Sequence, residues 1–158
     1  PDADALAQAL RLPAPLREFY RVCDGFASDS PALPTPVLGL RELRPGAACT
    51  PPLSARLRTY WAAHGNDAAQ ADRLAVLPPD SLLALVTADT ECELPADAVD
   101  TMMLLCPPGA AEFTVIALTG VSDQIPAGSV LDVEGSSATR YDDFTHWLAT
   151  RASLFSSL

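Results

Sequence analysis

The sequence predicts an α+β fold: a central mostly antiparallel or mixed sheet packed against N-terminal helices and a C-terminal helix, in one domain over residues 1–158. Three observations predict it. Apolar residues recur at helical spacing near both ends, the middle breaks into short apolar or alternating runs, and Pro and Gly separate those runs. Of the 158 residues 49% are hydrophobic, enough to bury a core without disulfides or metals. No internal repeat is present, and no linker is long enough to divide the chain in two.

A first short helix is expected over about residues 2–10, with Asp2 and Asp4 at the end where the helix dipole favours acids. Leu12-Pro13 resets the chain. Leu12, Leu16, Phe19, Tyr20 and Cys23 then share one helical face. Pro13 and Pro15 suit its first turn, and Asp24-Gly25 ends it, with Gly25 fitted to a left-handed C-cap. Residues 26–36 form a Pro/Ser-rich loop, and Val37, Leu38 and Leu40 a short strand or turn. A helix after Pro51-Pro52 carries Leu53, Leu57, Tyr60, Trp61 and His64 at the same spacing, and Gly65-Asn66 stops it.

Strands are expected within residues 74–77, 81–87, 101–106, 113–118 and 129–134. Pro79-Asp80, Pro95, Pro107-Pro108-Gly109, Gly120 and Gly128 mark the turns between them. Met102-Met103-Leu104-Leu105 is apolar on both faces and predicts a central strand. Val130-Leu131-Asp132-Val133-Glu134 alternates, which predicts one face in water. A closing helix over about residues 141–156 puts Tyr141, Phe144, Trp147, Leu148, Leu154 and Phe155 on one face, behind Asp142 and Asp143.

The ten basic residues are all arginine, and twenty acids oppose them for a formal net charge of −10. A nucleic-acid binder draws its affinity from Lys and Arg on phosphates, so the sign is wrong for one. Without lysine there is no Walker-A loop, no Schiff base and no Ser-Lys dyad. The charge is also divided. Residues 1–73 are neutral, as are residues 140–158. Between Leu74 and Thr139 there is no basic residue but ten acids: Asp80, Asp89, Glu91, Glu93, Asp97, Asp100, Glu112, Asp123, Asp132 and Glu134. Such a field repels nucleic acid and anionic membranes and steers basic partners inward.

No apolar run approaches the length of a membrane span, and no basic segment followed by an apolar stretch opens the chain, so a soluble, cytoplasmic protein is expected. Cys23, Cys49, Cys92 and Cys106 form no C-x-x-C pair. Cys23 and Cys106 read as small buried hydrophobes, and a bridge involving Cys49 and Cys92 stays open. His64 and His146 are not paired by spacing, so no zinc site is expected. The acidic run from Asp89 to Glu93 lacks the Gly and Glu that a calcium loop needs at positions six and twelve, where Leu94 and Asp100 stand. Neither a nucleophile elbow nor a Gly-rich phosphate loop is present. The expectation is no catalytic residue, no metal and no cofactor.

Three pieces resemble the SUKH superfamily, a group rich in bacterial immunity proteins. Leu12-Pro13-Ala14-Pro15-Leu16-Arg17-Glu18-Phe19-Tyr20, closing in Cys23-Asp24-Gly25, is similar to its opening helix. Residues 37–43 are similar to the stretch before its next helix, and Tyr141-Asp142-Asp143-Phe144-Thr145-His146-Trp147-Leu148 to its closing helix. The chain departs from the family where Asp24-Gly25-Phe26 replaces a Gly pair and where Glu91-Cys92-Glu93-Leu94-Pro95 replaces a Gly/Asp-rich turn. The resemblance implies an SUKH-like fold and a non-catalytic immunity protein that neutralises a cognate toxin, encoded nearby. The expected contacts are Asp89, Glu91, Glu93, Asp97 and Asp100, then Glu112, Asp132 and Glu134, as an acidic sheet edge or loop filling a basic groove. Two other readings stand beside it: a regulatory or scaffold module binding a peptide or protein through residues 26–36 or the exposed helix faces, and a toxin or hydrolase built on two convergent carboxylates.

Overall fold

The computed structural model describes residues 2–26, 36–64, 82–86, 91–135 and 137–156. Helix α1 spans Ala3–Ala9, capped by Asp2, whose Oδ1 accepts from the Asp4 N–H at 3.1 Å. Two backbone bonds close its C-terminus: Leu12 N–H to the Ala7 carbonyl (3.1 Å) and Arg11 N–H to the Gln8 carbonyl (3.0 Å). Arg11 takes the left-handed conformation there, at φ 54°. This is a Schellman closure with arginine in the position that glycine fits best. It buries Ala7 against Leu12 and aims the chain into α2, Ala14–Val22.

On α2, Leu16 and Tyr20 are buried and Phe19 is partly so, as the spacing predicts. The Tyr20 hydroxyl donates to the Leu38 carbonyl at 2.7 Å, which fastens the segment after the Pro/Ser-rich loop to the helix. That loop lies outside the described residues except at its ends, where Phe26 and Val37 pair through both backbone bonds. Gly25 differs from its predicted role. The helix ends at Val22 with Cys23 already extended, so Gly25 is not the cap. At φ 86° it lets residues 37–39 approach, and a Cβ there would collide with the Val37 carbonyl and sit 2.9 Å from the Gly39 nitrogen.

Helix α3, Leu53–His64, buries Leu53, Leu57 and Trp61. Its predicted stop, Gly65-Asn66, and the predicted strand at 74–77 lie outside the described residues. The strands are β1 (Leu82–Val86), β2 (Glu91–Pro95), β3 (Met103–Leu104), β4 (Glu112–Ile116), β5 (Val130–Glu134) and β6 (Ser137–Tyr141). They form one mixed sheet in the order β2-β1-β6-β5-β4-β3, antiparallel throughout except for the parallel β1–β6 pair. Helix α4, Phe144–Ser156, follows directly. Asp143 caps it through its Oδ1 on the His146 N–H at 2.8 Å. The Phe19 ring meets Phe144 edge-on at 5.0 Å, joining α2 to α4. The predicted α+β architecture is the observed one.

Four local readings change. Residues 91–95, which lie outside the expected strands, are strand β2, with Leu94 buried. Residues 137–141 form β6, which has only Ala138 buried and so little apolar signal. Met103–Leu104 is a two-residue edge strand and not a central one. It is buried because residues 38–45 cover that edge: Leu104 N–H donates to Arg44 and Leu38 N–H to Leu105, at 2.9 and 2.8 Å. Finally, β5 is buried from Val130 to Val133, Asp132 included, so neither face of that stretch meets water. Cys49 is a buried free thiol.

Two substitutions test the backbone reading. Gly25→Ala is expected to cost about 2 to 3 kcal/mol, from positive φ plus a backbone collision. Arg11→Gly is expected to be neutral or to stabilise by up to about 1 kcal/mol, because it relieves a left-handed arginine. Urea denaturation of the two variants against the parent gives both values.

Candidate functional site

The β4–β5 register sets Ile116 opposite Val130, Thr114 opposite Asp132 and Glu112 opposite Glu134. These residues alternate along their strands, so the three pairs share one sheet face. Along it the chemistry grades from apolar to polar to doubly acidic. Helix α4 closes the first two rungs: Trp147, wholly buried, and Arg151, one helical turn later, both reach Asp132.

Asp132 is 6% exposed and has a full set of donors. Its Oδ1 accepts from the Thr114 hydroxyl at 2.7 Å and the Trp147 indole N–H at 2.9 Å, and its Oδ2 from Arg151. Burial works against the Arg151 charge, but Asp132 outweighs it and holds the guanidinium above its ordinary pKa. Burial, then the negative charge of Asp132, pushes the Tyr141 hydroxyl up. The hydrogen bonds of this carboxylate are directed to the interior of the protein.

Beyond Arg151 the face opens into a cleft of about 420 Å³. Glu112 and Glu134 flank it, and Pro107, Pro108 and Gly109 form one wall. Cys106 lies buried beneath it with its thiol pushed up to about 12, chiefly by desolvation, against a lowering hydrogen bond from Thr114. A thiol in that state is neutral and inert at physiological pH. Among the described residues no group of three His, Cys, Asp or Glu side chains is placed to hold a metal ion. His146 is exposed beside Asp142, 3.9 Å away, and apart from the cleft residues.

The predicted contact acids separate. Asp89 lies outside the described residues. Glu91 and Glu93 sit on β2, the strand at the opposite edge from β3, in register with Val86 and Ala84. Asp97 pairs with Arg58 at 2.6 Å on the surface. Asp100 is structural: its carboxylate accepts from both the backbone N–H (3.0 Å) and the hydroxyl of Ser54, capping α3 from another segment. Asp132 is likewise no surface contact, because α4 covers it. Glu112 and Glu134 are exposed and brought together, and among the described residues neither has an ion-pair partner.

No family model, curated protein or solved structure matches this chain. The site therefore has to be read from its own geometry. Sequence reasoning missed Arg151 and Trp147 as partners of Asp132, although their spacing of four on one helix face was a usable signal. It also gave no means of ranking the ten acids, because rank depends on strand register. Among the described residues no helix is long and apolar enough to cross a membrane.

The thiols supply a direct check. With burial holding Cys106 protonated, iodoacetamide at pH 8 is expected to spare Cys106 and Cys49 in the folded protein and to modify both in urea, as read by peptide mass spectrometry. Between pH 9 and 12 the unfolded chain releases the Cys106 proton while the folded chain keeps it, so stability falls as pH rises through that window.

Proposed function

We propose that the protein is a non-catalytic immunity protein of SUKH type, acting in the cytoplasm, that binds a basic surface of a toxin encoded nearby and blocks it. The observation that carries this reading is the Glu112–Glu134 pair. Two like charges directly opposite on antiparallel strands destabilise a sheet by about 0.2 to 1 kcal/mol. No basic residue between Leu74 and Thr139 offsets them. A surface that keeps such a cost in the free protein is suited to a cationic partner that removes it on binding. The resemblance of the α2 and α4 segments to the SUKH helices supports the class.

Catalysis has poor support in this geometry. The one buried carboxylate of the face is committed to Thr114, Trp147 and Arg151, and the nearest thiol is inert. Two exposed carboxylates then remain at the cleft, where they can meet a cationic partner.

The test is co-expression with the product of the neighbouring gene. Rescue of growth together with co-purification is the expected result, with an association rate that falls steeply as salt rises. Replacing Glu91, Glu93, Glu112 and Glu134 together by Gln is expected to slow association by about tenfold or more. Failure of both rescue and co-purification overturns the reading. Rescue that is indifferent to salt and to the four substitutions overturns the acidic surface as the contact.

A further inference from the structure

We propose that residues 107–110 are a separately opening wall of the cleft, held in place by Arg56 of α3 acting as a latch. The latch stands apart from the acidic-surface reading, because it concerns how the cleft is held and not what enters it.

Residues 107–110 lie between β3 and β4, and Pro107, Pro108 and Gly109 line the 420 Å³ cleft. Little fixes them from within. Pro107 and Pro108 have no N–H to donate. Pro107, Gly109 and Ala110 are exposed and Pro108 is half-buried, so apolar packing adds little hold. The Gly109 N–H donates to the Glu112 carbonyl at 2.7 Å, which closes the turn on itself and ties it to nothing beyond β4. The flanks are firm by contrast. Cys106 is buried, the Leu105 N–H donates to the Thr114 carbonyl at 2.8 Å, and the Ala111 carbonyl accepts from Gly135 at 2.9 Å.

Among the described residues, one hydrogen bond reaches this stretch from another element: Arg56 Nη1 donates to the Gly109 carbonyl at 3.2 Å. The rest of that guanidinium is braced. Its Nη2 donates to the Thr50 carbonyl at 3.0 Å and its Nε to the Pro51 carbonyl at 3.2 Å, both just ahead of α3. The planar fork is therefore anchored on two sides before it takes the wall on the third. Among the described residues no carboxylate forms an ion pair with Arg56, so its charge is answered by three carbonyls. A hydrogen bond from a charged donor is stronger than one between neutral groups. Its loss frees the wall, leaves the β4–β5 ladder intact and opens a path to Cys106 behind the wall.

The experiment follows amide hydrogen exchange of the full chain in increasing urea, below its unfolding transition, for the parent and for Arg56→Met. Methionine keeps an apolar stem and removes the guanidinium. In the parent, exchange at Gly109 is expected to ignore urea, as a small local opening does, while the buried Val115 and Val133 exchange faster as urea rises. In Arg56→Met without urea, Gly109 is expected to exchange about tenfold faster or more, the effect of losing one charged hydrogen bond. Cys106 then becomes open to iodoacetamide at pH 8. Arg56→Lys, whose compact ammonium cannot span the same three carbonyls, is expected to fall between the two and serves if the methionine variant does not fold. Gly109 exchange that rises with urea in step with Val115 and Val133 overturns the wall as a separate unit. Unchanged exchange at Gly109 in the Arg56 variants overturns the latch.

Discussion

The carboxylate of Asp132 joins the two halves of this molecule. It projects from β5, takes the Thr114 hydroxyl from β4, and receives Trp147 and Arg151 from α4. A buried carboxylate without partners would cost several kcal/mol, and here three donors answer it. Helix α4 is thereby set in register on the sheet, and α2 follows through the contact of Phe19 with Phe144. The polar network specifies one docking position where apolar packing of Trp147 alone would tolerate several. It also determines where α4 stops covering the face, and so where the cleft begins.

The acids of residues 74–139 are one population in the sequence and several in the structure. Asp132 orders the interior, Asp100 caps α3, and Asp97 meets Arg58. Their charges are answered within the chain. Glu112 and Glu134 are different, because they face one another across a strand pair with no counter-ion among the described residues. The net charge of −10 therefore has a structural portion and a portion facing outward. Only the outward portion can attract a basic partner, which is why the proposed function rests on a pair of residues and not on composition.

Much of the fold was legible because burial writes a period into the sequence. Leu16 and Tyr20 on one helix, and Leu53, Leu57 and Trp61 on another, are where their spacing predicts. Strand β6 was not legible: Ser137, Thr139 and Arg140 carry no alternating apolar signal, and the strand forms through its neighbours on both sides. Strand β2 was hidden by Glu91 and Glu93, which leave the segment without an apolar run. Met103 and Leu104 misled in the other direction, since a chain segment covering an edge buries residues as fully as a central position does. At the site, the types of residue were legible and their roles were not. Alternation along β5 predicts that Asp132 and Glu134 share a face, but only the placement of α4 makes one structural and leaves the other free.

That division of labour is the central claim, and one comparison of folding stability tests it. Asp132→Asn and Glu134→Gln each remove one negative charge from the same face of the same strand, two residues apart. By urea denaturation the first is expected to lose about 2 to 4 kcal/mol, because it leaves Arg151 half-buried without its carboxylate. The second is expected to gain a few tenths of a kcal/mol, because it relieves the repulsion with Glu112. Equal effects of the two substitutions, or a loss from Glu134→Gln as large as that from Asp132→Asn, would contradict the account.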